Sequence, residues 1–205
     1  MSALDIIRII FYTDSSRLKG GSMIIETERL ILREYEDSDF DALYAVLGDT
    51  DIMQHYPYTF DGERVRKWIA RNKERYVNDG FGLMAVVLKE TGEVIGDCGL
   101  TMQMINGVPC PEIGYHIRRD VQRKGYAREA AAAVRDWAFT ERDFDTLYSY
   151  MKYTNVPSYS TAMSIGMHYK EEYPGPANTI TKVYCISREE WKRLRVSEQI
   201  GSVKK

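Results

Sequence analysis

One stretch, RRDVQRKGYAREAAAAVRDWAF at 118–139, limits the architecture of this chain more than any other. Arg118, Arg119, Arg123, Lys124 and Arg128 gather around a single Gly125, and an alanine-rich apolar pattern begins immediately after it. Ala127, Ala130, Ala131, Val134 and Ala138 recur at the spacing of one helix face, and side chains that small let a helix lie close on a sheet. The segment before the loop, EIGYHIR, alternates like a strand. Gly125 therefore marks a strand-to-helix turn, where successive backbone N–H groups converge at a helix N-terminus and attract phosphate. Glycine also lets a pyrophosphate approach the main chain without a Cβ in the way. Without its context the same segment reads as a plain turn with solvated charge, and it fits neither GxxxxGK[ST] nor GxGxxG.

The remaining periodicity supplies a sheet and its helices. IIETERLILREY at 24–35 alternates as one strand, and a helix with Phe40, Leu43, Tyr44 and Leu47 on one face follows, capped by Asp37 or Ser38 and stopped at Gly48. A second helix fits 61–79, where Val65, Trp68, Ile69 and Tyr76 share a face and Gly80 ends it. GLMAVVLK, VIGDCGLTMQMI and EIGYHIR, separated by ETGE and by Asn106 and Gly107, predict an antiparallel meander. After the helix at 126–141 come a strand, TLYSYMKY, and a short helix over 158–165 stopped by Gly166. Two strands around PGPANT and a final helix opened by a capping box at Ser187 and Glu190 complete the pattern. This order predicts an α/β fold with a mixed, mostly antiparallel central sheet flanked by helices on both faces.

Composition narrows the function classes. A chain of 205 residues, 44% apolar, has enough material for one core, expected here as a domain over 23–195 with an extension at 1–22 and a tail at 196–205. LDIIRIIFY in the extension is too short to span a membrane, with Gly20 and Gly21 as a joint; its packing on the domain or on a second copy, as in a homodimer, stays open. The formal net charge of −2 makes the basic cluster a local feature and argues against a nucleic-acid binder. Cys98, Cys110 and Cys185 are widely spaced and odd in number, which points to reduced thiols in a cytoplasmic protein. His55, His116 and His168 form no HExxH pair and no GxSxG is present, so neither a metal site nor a serine triad is expected.

The loop and its surroundings resemble the GCN5-related N-acetyltransferase family, whose pyrophosphate loop reads (Q/R)xxGx(G/A), here Gln122, Arg123, Lys124, Gly125, Tyr126 and Ala127. The resemblance covers most of 23–187. It is nearest to the RimJ/RimL-like branch, the type that acetylates ribosomal protein N-termini, through TERLILRE, EIGYHI and the segment NVPSYSTAMSIGM with Asn155, Ser158, Gly166 and Met167. It implies acetyl-CoA as donor and an amine acceptor as partner. It further implies that Ile117 and Arg118 hold the acetyl and pantetheine arm by backbone hydrogen bonds, that 122–127 hold the pyrophosphate, and that Asn155 binds the pantetheine side. Ser158 would meet the coenzyme sulfur, and the basic cluster would face the phosphates. The chain departs from the branch where STAMSIGM replaces a run such as RVLEKLGF, which leaves the proton donor open.

Acetyl transfer to an amine needs a neutral amine and a proton for the departing thiolate. Glu112, beside the implied acetyl site, is the candidate general base; its plainer reading is an exposed strand carboxylate. Ser158 is either the donor to the thiolate or the cap of the helix after Pro157, and Tyr159 is the alternative donor. His116 reads as a packing or substrate-side residue, and Trp68 and Trp137 as core. Acceptor identity would be set by the first two helices and by the loops MINGVPC and YPGPANT. A non-catalytic coenzyme A module is the competing reading, since it would keep the phosphate loop without needing Glu112.

Overall fold

The extended segments of the chain join into one sheet of nine strands in a computed structural model that describes residues 8–12, 22–175 and 177–203. The strands are β1 (Arg8–Tyr12), β2 (Ser22–Glu26), β3 (Leu30–Arg33), β4 (Leu83–Leu88), β5 (Val94–Ile105), β6 (Val108–Ile117), β7 (Thr146–Lys152), β8 (His168–Gly175) and β9 (Thr179–Ser187). They lie side by side in the order β1-β2-β3-β4-β5-β6-β7-β9-β8. All neighbouring pairs are antiparallel except β6 with β7. The helices are α1 (Phe40–Leu47), α2 (Gly62–Asn78), α3 (Tyr126–Glu141), α4 (Val156–Ser164) and α5 (Arg188–Val203). Of the expected extension, Arg8–Tyr12 pairs with β2 of the same chain; 1–7 and 13–21 lie outside the described residues, as do 204–205 of the expected tail.

Side-chain parity distributes the core over both faces. Along β4, Met84, Val86 and Leu88 pack with α3 and its neighbours, while Leu83, Ala85 and Val87 pack with α1 and α2. Every residue of β4 is buried, as a central strand covered on both sides requires. The alanine face of α3 is fully enclosed at Ala130, Ala131, Val134 and Ala138. Beneath it Arg135 donates to Asp136 at 2.8 Å and to the carbonyl of Ile165 at 2.5 Å. Asp136 also accepts from Trp191 and Arg195 of α5 at 2.8 and 3.0 Å. The buried charges are thus paired and tie α3, α4 and α5 together.

Two local expectations are corrected. The segment 24–35 is not one strand but the hairpin β2–β3. Met23 and Ile25 point inward before the turn and Leu30 and Leu32 after it, a change of phase that a single strand does not permit. Thr27 makes the turn: its N–H donates to the Leu30 carbonyl and its Oγ1 accepts from Leu30 N, both at 2.9 Å. Before α1, Asp37 and Ser38 fall inside a short 3-10 turn, and Glu36 N donates to Asp39 at 2.8 Å. Asp39 is fixed by Arg33 at 2.7 and 2.8 Å; Glu36 caps the 3-10 turn, and Asp39, not Asp37 or Ser38, stands at the N-cap position of α1. On α1 itself Tyr44 faces solvent and Val46 is buried in its place.

The meander packs tightly at Gly99 of β5, where a Cβ would lie 2.2 Å from the carbonyl oxygen of Gly82 and 2.7 Å from Leu83 Cα. Both atoms belong to the backbone and cannot rotate away. Gly99→Ala is therefore expected to cost about 2 kcal/mol, a fall in Tm of about 4–8 °C for a chain this long. A thermal melt within 1 °C of the parent, on the order of its error, would show that β4 and β5 are less closely joined than described.

Candidate active site

The parallel strands β6 and β7 pair at one position only, Glu112 with Tyr148. Beyond that pair the ladder stops, leaving a gap at the carboxyl ends of the two strands, where open α/β sheets take their ligands. Ser149 Oγ donates to the Ile113 carbonyl at 3.1 Å, and Gln122 Nε2 donates to the Ile117 carbonyl at 2.8 Å. Arg118 N donates in the other direction, to Ile95 of β5, at 2.8 Å. Successive residues of a strand turn their backbone groups to opposite edges, so odd-numbered positions of β6 face the gap. The backbone of Tyr115 and the N–H of Ile117 are left on this edge, where an extended ligand can pair as another strand would.

Ile117 thus presents its N–H on the open edge, and Arg118 does not. The Arg118 N–H is committed to β5, and its guanidinium is held by Asp120 at 2.7 Å and Glu93 at 3.4 Å. Across the gap, Asn155 Oδ1 accepts from Ser158 N at 3.2 Å, which makes Asn155 the cap of α4. The capping alternative for Ser158 is thereby overturned. Ser158 Oγ donates to the Tyr115 hydroxyl at 3.4 Å, and that hydroxyl donates to the Ser158 carbonyl at 2.6 Å. Tyr115 thus bridges from β6 to α4. Tyr159 is placed among packing groups, its ring stacked on Tyr184 with centroids 5.9 Å apart and Lys182 5.7 Å from its centroid.

Past Ile117 the chain makes one 3-10 turn and exposes 122–125. Arg123 and Gly125 both take left-handed backbone, φ 63° and 87°, immediately before the 16-residue α3. Such alternation turns N–H groups toward one point, and the helix dipole adds positive potential there. A non-glycine residue in this region costs about 1–2 kcal/mol, a strain typical of functional loops.

The β2–β3 turn holds the loop in place. Thr27 Oγ1 and Arg29 N donate to Glu129 of α3 at 2.6 and 2.9 Å, and the Arg29 guanidinium meets Glu129 at 2.6 Å and the Lys124 carbonyl at 2.9 Å. It also lies 4.5 Å from the centre of the Tyr126 ring. Of the basic cluster, Arg118 is paired as described, and Arg119 is paired with Asp49 at 3.2 Å and with Asp51. The expectation that the whole cluster faces phosphate is corrected: Arg123, Lys124 and Arg128, which have no ion pair among the described residues, supply the charge around the loop.

Glu112 points to the opposite face of β6 from Tyr115, and it is not a freely exposed strand carboxylate. Burial pushes its pKa up to about 7, although a hydrogen bond from Thr101 Oγ1 at 3.2 Å and the charges of His116 and Arg75 pull the other way. A carboxylate of that proton affinity is matched to base catalysis near neutral pH. Four residues along the same face, His116 Nδ1 lies 2.7 Å from Asp97 and its Nε2 lies 2.8 Å from the Tyr56 hydroxyl. Asp97 is wholly buried and also accepts from Tyr35 at 2.8 Å and from Trp68 Nε1 at 3.1 Å. Burial lowers the His116 pKa, but the Asp97 charge and hydrogen bond, with Glu112, outweigh it and the net shift is upward.

Asp97 and Tyr56 are site neighbours that the sequence reading misses, and His116 and Trp68 are more than packing. One signal does exist: Asp97 interrupts the buried run VIGDCGL, and a carboxylate inside such a run needs partners. Nothing local identifies Tyr56, which stands 60 residues from His116.

Comparisons with known proteins identify the family and the fold. A family model for the acetyltransferase (GNAT) domain matches residues 29–168. The chain is 36% identical over 146 residues to the uncharacterized protein YkkB of Bacillus subtilis (strain 168), covering 71% of this chain and 85% of that one. It is 30% identical to the uncharacterized N-acetyltransferase YnaD of the same strain, covering 82% and 99%. The crystal structure of an acetyltransferase (GNAT family) from Bacillus anthracis superposes with a TM-score of 0.71 at 25% identity, covering 82% of this chain and 99% of that one. Among the described residues no group of three His, Cys, Asp or Glu side chains is arranged to hold a metal ion, and no helix is long and apolar enough to cross a membrane.

The left-handed Gly125 gives this site its sharpest test. A Cβ there would be strained at φ 87° and would meet Arg29 Nη2 at 3.3 Å. Gly125→Val is expected to weaken coenzyme A binding at least about tenfold, or roughly 1.4 kcal/mol, with Arg123→Ala and Lys124→Ala each costing less because they leave the backbone in place. Isothermal titration of the three variants checks the ranking. Normal binding by Gly125→Val, with binding abolished by either charge removal, would mean that side chains alone hold the phosphates.

Proposed function

The chain belongs to the GNAT family of acetyltransferases, and we propose that it moves the acetyl group of acetyl-CoA to a primary amine, a protein N-terminus or a small-molecule amine, by direct attack. The observation that carries the reading is the Glu112 carboxyl, raised to about 7 and standing at the single β6–β7 pair where the gap opens. In this reading the pantetheine arm pairs with the open edge at Tyr115 and Ile117, Asn155 lies on its far side, and the pyrophosphate sits on the backbone from Gln122 to Ala127. The resemblance to the RimJ/RimL-like branch favours a protein N-terminus as acceptor. Buried, unpaired Cys98, Cys110 and Cys185 fit a reducing, cytoplasmic setting.

The chemistry then follows in order. Glu112 removes a proton from the acceptor ammonium, directly or through water, and the freed nitrogen lone pair attacks the thioester carbonyl. The C–N bond forms, the C–S bond breaks, and the thiolate takes up a proton while nitrogen loses its second. Ser158, hydrogen-bonded to Tyr115 beside the gap, is the hydroxyl placed to assist the thiolate. Tyr159, stacked on Tyr184, has no comparable support. A binding module without chemistry would have no use for the Glu112 environment.

Thiol release from acetyl-CoA, followed across a panel of small amines and peptide N-termini, tests the reading directly. Glu112→Gln should lower turnover by roughly a hundredfold while leaving coenzyme affinity nearly unchanged. Because the carboxylate is the active form, wild-type kcat should fall as pH drops below about 7, the value to which burial raises Glu112, and level off above it. An unaltered rate in Glu112→Gln would remove Glu112 from the mechanism.

A further inference from the structure

Helix α2 lies against the face of β5 and β6 that carries His116 and Glu112, and Trp68 fixes its alignment. The Trp68 indole nitrogen donates to Asp97 at 3.1 Å, and its ring meets that of His116 at 5.9 Å. Arg75 follows seven residues later, close to two full turns, which brings it back to the flank of Trp68 about 10 Å further along the axis. Glu112 stands four residues before His116 on β6, about 13 Å along the strand. Helix and strand are thus matched in length between these two pairs of residues.

Contacts give the direction. Asn72 Oδ1 accepts from Leu83 N at 3.0 Å, and Leu83 belongs to the row Leu83, Gly99 and Gly114 across β4, β5 and β6. That row is two residues nearer to Glu112 than the row of Asp97 and His116. A Cβ on Gly114 would meet Glu112 Oε2 at 3.2 Å and Leu83 Cδ2 at 3.5 Å, so carboxylate and leucine border one space. The Arg75 guanidinium donates to the same Asn72 oxygen at 3.3 Å, which sets it at the start of β4 beside that space. Its charge acts on Glu112 and on Tyr150 of β7.

Arg75 is half-buried, and it has no ion pair among the described residues. A guanidinium drawn out of water normally has a carboxylate partner. Arg33, Arg118 and Arg135 have theirs, each at 2.7 Å. On α2 itself Lys67 and Lys73 are paired with Glu63 and Asp37 at 2.6 and 2.5 Å. Arg75 has instead a neutral amide oxygen and, one turn before it on the same flank, a second arginine without an ion pair, Arg71. Burial and the Arg71 charge pull the Arg75 pKa down, and an anion arriving between the two arginines relieves both costs.

We propose that Arg75, supported by Arg71, binds a carboxylate of the acceptor, so that the favoured substrates are amines carrying an acid group close to the amine. The proposal rests on the reading of Glu112 as the base. Glu112 and Arg75 then present a negative and a positive group on one wall, which a zwitterion complements, ammonium to Glu112 and carboxylate to Arg75. The planar guanidinium matches a carboxylate with two parallel N–H···O bonds, and an acceptor held at both ends keeps its nitrogen oriented toward the thioester. Arg75 takes no part in the bond changes; it positions the acceptor. A free amino acid and a peptide N-terminus with acidic side chains both supply this chemistry.

Thiol release with two matched pairs of acceptors tests this. One pair is a tetrapeptide amide with glutamate at its second and third positions and its glutamine counterpart; the other is free glutamate and its diamide. Rates are taken on the alkaline plateau, where Glu112 is ionised with or without its arginine neighbour. In at least one pair the acid should exceed its amide by about tenfold or more in kcat/KM, and that pair identifies the source of the carboxylate. Arg75→Gln should abolish the preference by raising KM for the acid, with rates on the amide and KM for acetyl-CoA within about twofold of wild type. Arg75→Lys, which keeps the charge and loses the fork, should retain part of it. No preference in wild type, or an Arg75→Gln that slows acid and amide alike, would overturn the proposal, since the arginine would then act on Glu112 alone. If the preference is absent while Glu112→Gln is slow, the proposal alone has failed; if no amine releases thiol, the acetyl-transfer reading has failed with it.

Discussion

The one parallel contact in the sheet, between Glu112 of β6 and Tyr148 of β7, is the constraint on which the rest depends. Antiparallel neighbours hold every other strand along much of its length, and here a single pair is followed by separation. An opened ladder leaves backbone donors and acceptors unpaired, and such groups must be satisfied. Ser149 and Gln122 cover two carbonyls from the side. What remains at Tyr115 and Ile117 is an edge that an extended ligand completes.

The opening also sets the direction of everything around it. On one face of β6, Tyr115 reaches across to Ser158 and closes the floor of the gap. On the other, Glu112 and His116 look into a layer built by Thr101, Asp97 and Tyr56. The strand end then delivers the chain into the Gly125 turn, so the backbone proposed to bind phosphate and the proposed base are carried by one continuous segment. Arg29 and Thr27 fix that turn from the β2–β3 hairpin through Glu129. The geometry of this loop thus depends on residues 100 and 102 positions earlier, and the hairpin has a purpose beyond adding a strand.

Local periodicity made most of this fold legible. The meander, the small-residue face of α3, the Gly125 loop and the Ser187–Glu190 capping box each depend on neighbours close in sequence. The hairpin was hidden because its turn, Glu26, Thr27, Glu28 and Arg29, has none of the Gly, Pro, Asn or Asp that usually mark one, and the shift from odd to even buried positions betrays it. The basic cluster was read as uniform because the carboxylates that engage it, Glu93, Asp49 and Asp51, come from other elements. Asp97, His116 and Tyr56 meet only through strand pairing and a loop 60 residues away. Their residue types alone cannot announce that contact, although a carboxylate in the midst of VIGDCGL calls for one.

A crystal structure with coenzyme A bound measures the central claim most directly. The account predicts pantetheine running between β6 and β7, hydrogen-bonded to the backbone of Tyr115 and Ile117, with the pyrophosphate on the N–H groups of 122–127 and the sulfur reaching the sheet near Glu112. Coenzyme A lying elsewhere on the sheet, or held with its sulfur remote from Glu112 and the Tyr115 edge hydrogen-bonded to protein alone, would contradict it.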